Sequence, residues 1–181
     1  RVITHRICHL LEKKVPARAI LAVTFTNKAA SEMRERVRQM AGQPALGVTL
    51  STFHAFGAEV LKEHLPKLGW PKKFAIVDTG DQIALVRRAM KERQIDEKIF
   101  DARKVLTLIS RAKNSGQTPE PKPEGQGEDI DLIAHWVFPL YQLALKAQGA
   151  VDFDDLIVFP SRIFEQYPEV KKQIVRRFRY V

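Results

Sequence analysis

The sequence predicts an α/β domain with a parallel sheet, interrupted by an all-helical insert. Three observations predict it. Up to residue 78, short apolar runs rich in β-branched and aromatic residues alternate with segments of helical periodicity, the pattern of parallel strands joined by helices. From 79 to 150 no strand pattern occurs. From 151 to 181 the patterning is mixed again.

Each element follows from local chemistry. Val2, Ile3, Ile7, Leu10 and Leu11 stand at near-helical spacing, so the chain opens inside an amphipathic helix with no cap before it. Ile20 to Phe25 is a buried-strand run. Thr26-Asn27 can cap the helix carrying Ala29, Met33, Val37 and Met40, with Glu32 and Arg36 as an i,i+4 ion pair and Gly42 as its end. Val48 to Ser51 is a second strand, and Phe53, Phe56, Val60, Leu61, Leu65 and Leu68 form the stripe of the next helix, limited by Pro66 and Gly69. Phe74 to Val77 is a third strand candidate.

In the insert, Thr79 with Gln82 forms a capping box ahead of Ile83, Val86 and Met90. Asp101 caps a helix carrying Val105, Leu108, Ile109 and Ala112, which Asn114-Ser115-Gly116 stops. Three prolines and two glycines make Thr118 to Asp129 a loop. A last helix runs from about Ile130 to Gln148, with Pro139 expected to kink or interrupt it. Beyond it, Asp152 can cap a helix containing Leu156, Ile157 and Ile163, broken at Pro160, and Tyr167-Pro168 starts another with Val170, Ile174 and Phe178 as its stripe.

Composition narrows the function classes. No apolar run has the length of a membrane span, and no signal-peptide pattern stands at the start. Cys8 is the only cysteine, so an intrachain disulfide is excluded, and the five histidines show no metal-ligand spacing. The net charge of +9, from 30 Lys+Arg against 21 Asp+Glu, favours a polyanionic partner, or else marks only a solvated basic surface. The chain starts at Arg1 rather than Met and ends at Arg179-Tyr180-Val181 where an apolar stretch begins, so both ends are expected to be cuts in a longer chain.

Three segments carry chemistry. Thr24-Phe25-Thr26-Asn27-Lys28-Ala29-Ala30 lies where a buried strand gives way to a helix, the place where ligands sit in open parallel sheets. Phe25 there can stack on a base or be core, and Thr26 and Asn27 can meet phosphate or only cap. Ser51-Thr52-Phe53-His54 occupies the equivalent place after the second strand; its hydroxyls and imidazole suit phosphate, or a cap beside a surface histidine. In Val151-Asp152-Phe153-Asp154-Asp155-Leu156, the three carboxylates suit a metal or an acid–base pair, and equally a helix N-terminus. The residues alone favour packing and capping at all three.

Taken together, and in this order, the segments resemble the DNA helicases of the UvrD/Rep/PcrA group. Thr24 to Val37 resembles motif Ia, Ser51-Thr52-Phe53-His54 motif Ib, Val151 to Ile157 the acidic segment after the inserted subdomain, and Arg1 to Ile7 the helix that follows the P-loop. The resemblance implies a partial RecA-like (P-loop NTPase) domain: residues 1–78 as its first part, 79–150 as the inserted helical subdomain, and 151–181 as its continuation, stopping before the Walker B strand. It implies a parent that uses ATP and Mg²⁺ to translocate 3′ to 5′ on single-stranded DNA and to unwind duplex, with single-stranded and junction DNA as partners. A bacterial-type cytoplasmic, nucleoid-associated location goes with it.

Carried over by residue, Arg1 matches the arginine at the adenine edge of ATP. Phe25, with Thr26 and Asn27, matches the motif Ia contact to single-stranded DNA, Thr52 and His54 the motif Ib contacts, and Lys113 and Asn114 a basic spot of the insert near duplex phosphates. The chain departs from the group's pattern by truncation: no Gly-x-x-x-x-Gly-Lys-[Ser/Thr] occurs in its 181 residues, and the Asp-Glu pair that would hold Mg²⁺ and the second RecA-like domain with its arginine finger are expected outside it. No catalytic residue and no metal ligand is therefore expected within it, no cofactor is expected to bind it tightly, and it is expected to be inactive as an ATPase by itself. A stand-alone, non-specific DNA-binding module without ATPase activity is the alternative from a different class. A nuclease-linked RecB-type relative is a third, which the wording of motif Ia disfavours.

Overall fold

A computed structural model describes residues 2–119 and 129–181, which fall into two compact units, Arg1–Val60 with Ser161–Val181 and Leu61–Pro160. Arg1, and most of the segment read as a loop between Thr118 and Asp129, lie outside the described residues.

The first unit is built on a parallel strand pair. α1 (Val2–Glu12) leads through a short 3-10 turn to β1 (Leu21–Thr24); α2 (Asn27–Ala41) follows, then β2 (Thr49–Thr52) and α3 (Phe53–His64). β1 and β2 pair in parallel with Leu21 opposite Thr49 and Thr24 opposite Thr52. Such a pair needs a crossover, and α2 supplies it. Thr26 caps α2, its Oγ1 accepting from Ala29 N at 3.1 Å. At the other end Gly42 turns with φ 64°, a left-handed conformation that a Cβ would strain. Glu32 and Arg36 pair at 3.7 Å as expected.

Val37, fully buried, packs with Ile7, Cys8, Leu10, Ile20, Ala45 and Leu50 into this unit's core. Removing a side chain of that size from water stabilises by about 1.5–3 kcal/mol. Arg34 fixes α2 to the sheet by donating from Nη2 to Leu50 O at 2.7 Å. α8 (Pro168–Arg177), with proline at its first position, leads to Tyr180, which lies against the other edge of β1: Leu21 N donates to Tyr180 O at 2.9 Å and Tyr180 N to Ala19 O at 3.1 Å.

The second unit is helical. α4 (Thr79–Glu92), α5 (Ala102–Asn114) and α6 (Asp129–Ala147) bury Val86, Met90, Val105, Ile109, Val137 and Tyr141. β3 (Ala75–Ile76) pairs in parallel with β4 (Ala150–Val151), not with β1 or β2. Strand partnership across some seventy intervening residues is set by packing, which leaves no trace in local periodicity.

Three further expectations change. The cap of α4 is Asp78, one residue earlier than expected: its carboxylate accepts from Asp81 N, in the third residue of the helix, at 2.9 Å, and Gln82 is buried instead of closing a capping box. Pro139 does not interrupt α6, and α7 (Asp155–Gln166) runs through Pro160. A proline removes one N–H and crowds one carbonyl, a local cost of about 3 kcal/mol. The buried faces around it, Val137 and Tyr141 in α6 and Phe159 and Ile163 in α7, outweigh that cost.

Candidate nucleic-acid interface

Parallel register gathers the motif residues of the first unit. With Thr24 opposite Thr52, the next residue of each strand leaves the sheet at the same level, at the carboxyl end where ligands of open parallel sheets sit. Those residues are Phe25 and Phe53, whose ring centroids lie 5.3 Å apart with planes inclined at 45°. Phe25 is 86% exposed, which settles the choice between core and surface in favour of surface. Thr26, Asn27 and Lys28 follow it in the open first turn of α2, and His54 is exposed in the first turn of α3.

Thr52 is buried, and its Oγ1 accepts from Ala55 N at 3.2 Å, capping α3. Thr26 does the same for α2 but remains exposed. An exposed aromatic thus stands beside hydroxyl, amide and imidazole groups at the start of two helices. That set can stack a base and hydrogen-bond a phosphate, two interactions that do not depend on sequence.

Lys113 and Asn114 sit elsewhere, in the second unit, and both turn toward the acidic segment. Lys113 is 4% exposed. Its Nζ donates to Asp152 Oδ2 at 2.7 Å and lies 2.7 Å from Asp155 Oδ1, an ion pair without hydrogen-bond alignment. Tyr141 OH donates to the same Asp152 Oδ2 at 2.8 Å. Asp152 and Asp155 also cap reciprocally: Asp155 N donates to Asp152 Oδ1 at 2.9 Å and Asp152 N to Asp155 Oδ2 at 3.2 Å. Asn114 Nδ2 donates to Asp154 Oδ1 at 2.8 Å.

The carboxylates therefore serve a helix start and an interior ion cluster, and the Lys113 ammonium is spent there rather than offered to solvent. Two carboxylates face one ammonium. Burial, and then the neighbouring Asp152 charge, push the Asp155 carboxyl up to about 7 against the pull of Lys113. Burial and Asp152 likewise raise the Tyr141 hydroxyl, keeping it a donor. Among the described residues no group of three or more His, Cys, Asp or Glu is arranged to hold a metal, and no helix is long and apolar enough to cross a membrane.

Two features differ from what local sequence predicts. Phe53, expected in a buried stripe, is 41% exposed beside Phe25; the signal for this is its place directly after a strand, matching that of Phe25. The partnership of Lys113 with Asp152 and Asp155 had no local signal, since the partners are 39 or more residues apart.

Comparison with known proteins identifies relatives of the chain. The ATP-dependent DNA helicase PcrA of Bacillus subtilis is 41% identical over 182 aligned residues, which cover 100% of this chain and 25% of the relative. The proteins of the same name from Staphylococcus epidermidis RP62A and Staphylococcus aureus Mu50 are each 37% identical with the same coverage. The chain thus spans about a quarter of the length of the curated relatives it matches. The family model for the UvrD/REP helicase N-terminal domain matches residues 1–181, and the chain belongs to that family.

Proposed function

We propose that the chain is the DNA-reading part of an ATP-dependent DNA helicase that translocates 3′ to 5′ on single-stranded DNA and unwinds duplex at junctions. The observation that carries the reading is Phe25: a large aromatic ring, 86% exposed, at the carboxyl end of a parallel strand and next to a helix start. Water contact of that extent is unfavourable for a phenyl ring unless a partner covers it, and a nucleobase fits both the ring and the polar groups around it. Thr26, Asn27 and His54 would contact the backbone, and Thr52 would support them through α3. Lys113 is left out of this set because its charge is neutralised internally, and Asn114 contributes by holding Asp154.

The division into 1–78, 79–150 and 151–181 follows the resemblance, whereas the compact helical unit is the longer Leu61–Pro160; an unbroken second segment between two stretches of the first unit supports the insertion itself. So does the β3–β4 pairing, which joins the two ends of the helical block as an insertion requires. ATP and Mg²⁺ chemistry is assigned to the parent rather than to this chain, because the P-loop that cradles the phosphates does not occur in these 181 residues. Arg1 is the one residue assigned to the adenine edge. Bacterial DNA as substrate implies a cytoplasmic, nucleoid-associated protein.

The test is binding of single-stranded oligonucleotides to the full-length protein. Phe25→Ala is expected to weaken affinity about tenfold or more, irrespective of base sequence. Unchanged affinity would remove the basis of the reading.

A further inference from the structure

Phe25 needs more than exposure to serve as a stacking platform. A phenyl ring on a short connection samples several rotamers, and binding on it is weakened by whatever fraction is wrongly turned. The backbone of Phe25 is held on both sides, by β1 before it and by the Thr26 cap after it. Its ring is held by Phe53, 5.3 Å away at 45°, within the range where aromatic pairs attract beyond their buried area.

Phe53 is itself fixed from behind. It is the first residue of α3, directly after Thr52, whose buried hydroxyl caps that helix at Ala55 N. Packing of the helix is done by other residues: Phe56, edge-on to Phe178 with centroids 5.9 Å apart, and the buried Val60 and Leu61. A residue needed only for the core would not be left 41% exposed against a ring that is 86% exposed.

We propose that Phe53 is a positioning residue for nucleobase stacking: tilted at 45° beside Phe25 with ring centroids 5.3 Å apart, it steadies a ring that stays 86% exposed to a single base of single-stranded DNA. The proposal rests on the reading that Phe25 stacks on DNA. It also explains why the two connections share one register, since a shift of either strand by one residue would separate the rings.

The experiment is a double-mutant cycle in the full-length protein, read by anisotropy of a labelled single-stranded oligonucleotide and by fluorescence of 2-aminopurine placed within it. Phe25→Ala should weaken binding about tenfold and release the stacked fluorophore. Phe53→Leu should weaken binding about threefold with partial loss of stacking, and Phe53→Tyr should restore both. In the Phe25→Ala background, Phe53→Leu should cost nothing further. Phe53→Met replaces Phe53→Leu if the latter fails to fold, with the same expectation. An equal loss from Phe53→Leu in both backgrounds, or no loss in the native one, overturns the proposal while leaving the role of Phe25 standing. No effect of Phe25→Ala overturns both.

Discussion

A lysine with 4% of its surface exposed is matched by two buried carboxylates, with Nζ 2.7 Å from Asp152 Oδ2 and 2.7 Å from Asp155 Oδ1. Lys113→Met leaves Asp152 and Asp155 facing each other without a counter-ion, and the expected loss is about 3–5 kcal/mol in urea unfolding. Adding Asp155→Asn removes one of the orphaned charges and should recover part of that loss; a purely additive double mutant would contradict the cluster. The pH dependence follows from the raised Asp155 carboxyl. Between the ordinary carboxylate range and about pH 7 the Asp155 carboxyl of the folded state holds a proton that the unfolded state releases. Stability from this group is therefore greatest at the acid end of that window and falls as pH rises through about 7. Thermal unfolding of Asp155→Asn should lack this fall, and an unchanged pH profile would count against it.

At the scale of elements, caps and register decide where the helices begin. The start of α4 is set by the Asp78 carboxylate, so Asp78→Ala should cost about 1 kcal/mol in chemical unfolding, and Thr79→Ala, outside the cap, only a few tenths. Equal losses would restore the capping box read from Thr79 and Gln82. The β1–α2–β2 unit was legible in the sequence: apolar β-branched runs, Thr26 as a cap and Gly42 as a stop each act within a few residues, and each is where it was expected. The partner of β3 and the continuity of α6 and α7 through their prolines were not legible, because both depend on what packs against those elements.

For the whole molecule, the excess of nine positive charges matters through its partner. Lys171, Lys172, Arg176, Arg177 and Arg179 are exposed on and after α8, which adds to a basic surface suited to phosphate. Affinity for single-stranded DNA should fall linearly on a log–log plot against salt, with a slope of about −0.7 per neutralised phosphate. A flat response would exclude the electrostatic part. The 181-residue chain by itself should show no ATP turnover above a contaminant control, and turnover that survives purification would contradict its assignment as the DNA-reading part alone.

By itself, the sequence determined the fold class and the family resemblance, and it put Phe25, Thr26, Asn27, Thr52 and His54 at the ends of two strands. All of these are written in periodicity and in short motifs, whose physics is local. Only the tertiary structure decided that Phe25 is exposed with Phe53 against it, that β3 joins β4, and that Lys113 lies inside with Asp152 and Asp155. Burial and partnership are properties of the packed chain: a phenylalanine or a lysine reads the same in sequence whether it faces a base, a carboxylate or water.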